Sequence, residues 1–308
     1  MLVRGLAALA AVSLSVSALD WATPLGVPDK PPVWDKAKPV GLPGASATFT
    51  EAQLHDRLKA VDWFPNTHPP MPKSVASGRG GAGACGFCHL PDGAGRPENA
   101  ALAGLSADYI QEQVEAFAAG QRKPLDGSWT PNVLMTKTSV EATPAEVKAA
   151  AQYFSRLKFV SHVRVVEAAQ IPRATEKVYV YSLDKSRTEP IGVRIIEAPD
   201  SLEAFEKRDP RLRYTAYVPP GAILGGAALA RTGGAAGQPC AACHGAGLKG
   251  GIAPPLAGRS PSYIARQLFS FRQGMRNSPA GAAMGPVTER LSNRDIVNLA
   301  AYAASLKP

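Results

Sequence analysis

The chain has 308 residues, 45% of them apolar and 19% charged, with a formal net charge of +9. That balance excludes a disordered chain and a polytopic membrane protein, and the length suits about two domains. Its 29 glycines and 28 prolines favour long ordered loops over continuous secondary structure.

Taken in chain order, the first segment reads as an address. Arg4 supplies positive charge, Leu6 to Val16 is a short apolar run, and Ser17-Ala18 offers a small-residue cleavage site. The run is shorter than the roughly 20 apolar residues of a spanning helix. Residues 1–18 are therefore expected to export the chain to the periplasm and be cleaved near Ala18. The mature protein is expected to be soluble, or peripheral at a membrane surface. Residues 19–79 read as a proline-rich arm. Thr50 with Gln53 forms a capping-box pattern for a short helix, and Trp63 and Phe64 are expected to pack over the domain that begins near residue 80.

The four cysteines form two pairs, each followed at once by histidine: Cys85-Gly86-Phe87-Cys88-His89 and Cys240-Ala241-Ala242-Cys243-His244. This is the attachment pattern of c-type haem. Two thiols add to the two vinyl groups on one porphyrin edge, and the next residue lies under the iron as its histidine ligand. A redox dithiol needs no histidine after the second cysteine. A zinc site wants four close ligands, whereas these pairs lie 155 residues apart. The expected cofactors are two covalently bound haems c.

An internal repeat frames both motifs. Leu102-Ala103-Gly104, Tyr109-Ile110, Phe117 and Gly120 recur as Leu256-Ala257-Gly258, Tyr263-Ile264, Phe271 and Gly274. Met135, Thr143, Tyr153 and Leu157 recur at a second constant offset as Met284, Ser292, Tyr302 and Leu306. Constant offsets mean a duplicated unit. In each copy a helix is expected after the cap Ser106 or Ser260, closed by Gly120 or Gly274. An extended loop should then carry the methionine, before a last helix that starts at Thr143 or Ser292. A thioether is a soft iron ligand, so Met135 and Met284 are the expected partners of His89 and His244. Met275 aligns with Gln121 and Met71 precedes the first motif, which disfavours both.

Between the copies, residues 159–232 look different. Val163-Arg164-Val165-Val166-Glu167-Ala168 is echoed by Val193-Arg194-Ile195-Ile196-Glu197-Ala198, and Val178 to Tyr181 and Tyr214 to Val218 are also β-rich. A sheet of three or four strands is expected, serving as a spacer that fixes the two copies or as a docking surface. His55 and His162 have no ligating neighbours in sequence and read as surface or structural residues.

Charge separates the copies as well. Residues 220–308 hold nine Lys/Arg against two acidic residues, and residues 80–158 hold seven against eight. A basic second copy would attract a redox partner with an acidic docking surface. Nucleic acid is not an expected partner.

Over residues 80–158 and 233–308 the sequence resembles the class I cytochromes c, specifically their tandem dihaem members. The resemblance implies a mainly α fold: two compact helical haem domains, here joined by the β-rich segment 159–232 and preceded by the arm 19–79. It also implies His/Met ligation and no substrate turnover. In that family a proline-rich turn holds the proximal imidazole by a backbone carbonyl. Pro254-Pro255 fits, while the first copy has Ala100 and Ala101. The expected function is an electron relay between exported redox partners of a respiratory chain. One alternative is a peroxidase-like enzyme or sensor with one open iron and His68 or His162 as distal group. The other is an electron-transfer subunit of a larger dehydrogenase.

Overall fold

The structure is a computed structural model that describes residues 19–26 and 37–308. The expected export signal, residues 1–18, lies outside them.

The two copies are built alike after their motifs. Ser106 accepts from the Tyr109 amide and starts the helix Ala107–Ala118, which buries Ile110, Gln113, Ala116 and Phe117. Ser260 caps Pro261–Arg272 in the same way through the Tyr263 amide. Gly120 and Gly274 follow these helices with φ of +68° and +67°, a turn that a residue with a Cβ resists. The terminal helices Pro144–Ser155 and Asn293–Ser305 both begin with full capping boxes, Thr143 with Glu146 and Ser292 with Asp295.

One expectation is corrected. The methionines do not sit on extended loops. Met135 lies inside the helix Thr130–Glu141, and Met284 opens the short helix Met284–Glu289.

The copies differ ahead of their motifs. In the second, Ala222–Thr232 packs along the terminal helix, so closely that a Cβ at Gly226 would clash with the Asn298 carbonyl oxygen. In the first, the four-residue helix Lys73–Ala76 meets the terminal helix instead. The arm supplies the rest. Its short helix Glu51–His55 has the expected Thr50–Gln53 capping box. Trp63 is 1% exposed in a cluster with Val40, Leu54 and Val61, and its Nε1 donates to the Lys207 carbonyl at 2.7 Å. Trp63 therefore anchors the arm to the β-rich segment, whereas the sequence placed it over the first copy. Phe64 lies under Arg211 of the same segment.

The β-rich segment makes a three-stranded sheet and a hairpin. Val163–Glu167 pairs parallel with Tyr214–Val218, which pairs antiparallel with Ile196–Pro199. Gln170–Lys177 and Val180–Pro190 form the hairpin. The echoed six-residue motif does not give twin strands. Its second occurrence enters the sheet only at Ile196, because Arg194 turns back to the Ile191 and Pro190 carbonyls. Ile195, Ala216 and Val218 join the core of the second copy with Phe269, Ile296 and Val297.

The copies meet about a local pseudo-two-fold axis. Arg122 and Arg276, the same repeat position, face each other in an antiparallel bridge. The Lys123 amide donates to the Met275 carbonyl at 2.7 Å, and the Asn277 amide to Gln121 at 3.0 Å. Arg259 of the second copy donates to the Ala101 and Ala103 carbonyls of the first.

Candidate haem sites

Each motif forms a short helix, Cys85–His89 and Ala241–His244, which brings both thiols and the imidazole to one side. The chain then turns sharply, with φ of +64° at Leu90 and +76° at Gly245. Leu90 carries a conformational penalty of about 1–3 kcal/mol there, a strain that occurs where a functional side chain must be aimed.

The imidazoles are held identically. His89 Nδ1 donates to the Ala100 carbonyl and His244 Nδ1 to the Pro254 carbonyl, both at 2.8 Å. The bond needs a carbonyl, so alanine serves where the second copy has proline. It leaves Nε2 of each ring free to bind a metal, with the tautomer fixed. Burial lowers both histidine pKa values, which keeps the rings neutral and competent as ligands. Burial pushes the Cys85 thiol up to about 12 and raises Cys88 and Cys240, the reverse of a reactive dithiol. Among the described residues no three His, Cys, Asp or Glu side chains converge as a metal cluster, against the zinc reading.

A cavity of about 960 Å³ takes in both motifs. It is lined by Cys85, Cys88, His89 and Met135 at one end and by Cys240, Cys243, His244 and Met284 at the other. Met71 and Met275 do not line it. His162 does, and it is half-buried, within the two readings the sequence allowed, surface or structural. His68 is engaged elsewhere: it meets Asp62 at 3.2 Å and the Tyr153 hydroxyl at 3.0 Å.

Midway, the cavity is lined by a feature invisible to motif reading. Arg122 and Arg276 are both buried, and each donates to both Gln113 and Gln267. Arg276 also reaches the Tyr109 hydroxyl at 2.9 Å, and its Nε has no partner. None of these acceptors is a carboxylate. Burial and then the facing Arg276 lower the Arg122 pKa. Two buried guanidinium groups without an anion are costly. The cavity thus offers thiols at its two ends and anion-seeking cations at its middle, and a haem, with vinyl groups on one edge and carboxylates on another, fits both. Bound there, the haem iron supplies a one-electron couple. The chain supplies ligation, orientation and exclusion of water.

Residues 228–302 match the family model described as cytochrome C oxidase, cbb3-type, subunit III. Cytochrome c-554(548) of Halomonas halodenitrificans is 38% identical over 68 residues, 21% of this chain and 82% of that protein. The chain belongs to the c-type cytochromes. Cytochrome c4 of Azotobacter vinelandii is 26% identical over 239 residues, covering 75% of this chain and 89% of that one. Among solved structures, the thiosulfate dehydrogenase TsdBA of Marichromatium purpuratum aligns with a TM-score of 0.50 at 28% identity. The alignment covers 73% of this chain, which spans 37% of that protein. With two motifs, this c-type cytochrome carries two covalent haems c and works as an electron carrier for redox partners. No helix among the described residues is long and apolar enough to cross a membrane.

Proposed function

We propose that the chain is a periplasmic relay in which Met135 and Met284 close the two irons opposite His89 and His244, within haem domains 80–158 and 233–308. The observation that carries this is the cavity. Met135 and Met284 line it together with two imidazoles whose Nε2 atoms are free, and Met71 and Met275 do not. Thioether ligation favours ferrous iron and leaves no open position for substrate. Optical spectra of the oxidised protein test this reading. The far-red methionine-to-iron band should count two per chain, and Met135→Ala and Met284→Ala should each remove half of it. Each should also lower one midpoint potential, by on the order of 0.1 V. A native band for one haem only would favour the open-iron alternative.

The partner that fits the second copy is an acidic redox protein. Of the nine basic residues after 220, Arg259, Arg266 and Arg276 are buried in internal contacts, so the charge count overstates the surface. Arg231, Lys249, Arg290, Arg294 and Lys307 remain exposed, against exposed Glu289 and half-buried Asp295. The likeness to part of a thiosulfate dehydrogenase supports a dehydrogenase as one donor. Co-purification at low salt tests that association.

A further inference from the structure

The two attachment edges are the same chemistry under opposite cover. At the first, a Cβ on Gly86 would sit 2.9 Å from the Val75 carbonyl oxygen and 3.0 Å from Ala60 Cβ, both from the arm. Phe87 is buried beneath Arg208, whose guanidinium lies 3.5 Å from the ring centroid and donates to the Phe87 carbonyl. The Ala84 amide donates to the Arg57 carbonyl of the arm. At the second, the corresponding Ala241 and Ala242 are exposed, as are Ala235, Gly237 and Gln238 just before them.

The residue two before the histidine-holding carbonyl sharpens the contrast. In the first copy it is Glu98, 5% exposed and paired with buried Arg96 at 3.2 Å. In the second it is Ile252, 92% exposed, on a loop bonded to the Cys243 carbonyl through the Ala253 amide. Ile252 also lines the cavity, so it faces the haem site as well as solvent. Basic residues gather around the cysteine pair, while exposed Asp108 and Glu112 of the first copy share the hollow beside Ile252 and Lys249. Arg231 follows Ala230, whose carbonyl holds the Cys240 amide. Arg290 reaches the Ala235 carbonyl. Lys249 precedes Gly250, whose amide donates to the His244 carbonyl. No acidic residue occurs between Asp209 and Glu289.

Resting on the relay reading above, we infer that the exposed surface formed by Ala241 and Ala242, with Arg231 and Arg290 beside it, is the single electron port of the chain. The port fits an acidic redox protein with a small apolar centre. The first attachment edge is sealed by the arm and Arg208, so the first centre exchanges electrons with partners only by way of the second. The pair then stores two electrons behind one port.

The test uses the full chain with plastocyanin, an acidic blue-copper protein, as probe. Affinity is read with its redox-inert cadmium form, by calorimetry at low salt. Ala242→Glu and the double variant Arg231→Glu/Arg290→Glu should each weaken binding by about tenfold or more. Arg156→Glu, a charge reversal of the same kind at an exposed site on the first copy, should change it less than about twofold. Stopped-flow oxidation of the fully reduced chain by the copper form should slow over its whole absorbance change in Ala242→Glu. Half the change persisting at the native rate would mean that the first edge has its own port and would overturn the inference. So would unchanged binding in Ala242→Glu, or equal weakening by Arg156→Glu. Failure of the ligation reading is separate, because it registers in the far-red band and not in these affinities.

Discussion

The two copies agree wherever the haem is held and disagree wherever it would be met. Both aim histidine with the same Nδ1–carbonyl bond at the same 2.8 Å, although one carbonyl belongs to alanine and the other to proline. Beyond those bonds, the first copy is wrapped by the arm and the β-rich segment, while the second leaves its two alanines in solvent. Duplication therefore fixed the ligation chemistry, and access was set by residues outside the repeat.

The largest break in this comparison should come from the arm's anchor. Trp63 is buried, packs edge-on against Phe49 at 4.7 Å and bonds to the Lys207 carbonyl. Trp63→Ala should cost about 3–5 kcal/mol, since a large cavity and an orphaned carbonyl result together. Hydrogen exchange is the discriminating measurement. Amides around 57–64 and 84–88 should exchange faster, with those of 240–244 unchanged. Equal loosening of both motifs would show that the arm is not a cover for the first edge alone.

A smaller asymmetry lies three residues past each histidine, where the first copy has Asp92 and the second Gly247. Burial pushes the Asp92 pKa up to about 6, against the opposing pull of the Ala94 amide and His68. A raised carboxyl favours the protonated form in the folded state. Its stabilising contribution is complete below the unfolded value near 4 and is lost as pH rises through about 6. Asp92→Asn keeps an acceptor for Ala94 without the charge. At pH 7 it should be more stable than the native chain by about 1–3 kcal/mol, the lower end reflecting a half-buried side chain. Urea unfolding at pH 4 and pH 7 checks this, and the gain should vanish at the lower pH. A gain independent of pH would mean that Asp92 is not the group responsible.

The haem motifs, the repeat and the capped helices were legible because each is written in local residues at fixed spacing. The methionine segments were misread as loops for a physical reason. The helix Thr130–Glu141 buries only Ser139 against protein and lines the cavity with Met135, so its inner face looks into that space and it carries no apolar stripe packed on protein. The basic count over the second copy misled because composition cannot separate exposed Arg231 from buried Arg266, which donates to the Ala22 and Pro97 carbonyls. Nor could sequence tell that Gly86 is small because the Val75 backbone presses on it, whereas Ala241 meets solvent. Contacts between segments far apart in the chain decide burial, and a single sequence carries no record of them.

The finest comparison is between the two capping boxes. Thr143→Ala and Ser292→Ala each remove one side-chain cap from a terminal helix and should cost about 1 kcal/mol alike. Their acidic partners should not behave alike. Glu146 bonds to Thr143 and also to Arg79 at 2.9 Å, whereas Asp295 bonds only within its own box. The Arg79 hydrogen bond and the Thr143 amide lower the Glu146 pKa to about 2. A depressed carboxylate stabilises the fold above its unfolded value near 4.5 and loses that contribution as pH falls toward 2. Glu146→Gln should therefore cost more than Asp295→Asn at pH 7, by no more than about 0.5–1 kcal/mol because the ion pair is exposed. The excess should disappear in 1 M salt, which screens Arg79 from the carboxylate. If it persists there, the cost belongs to the cap hydrogen bonds, and the two copies are equivalent at this helix end.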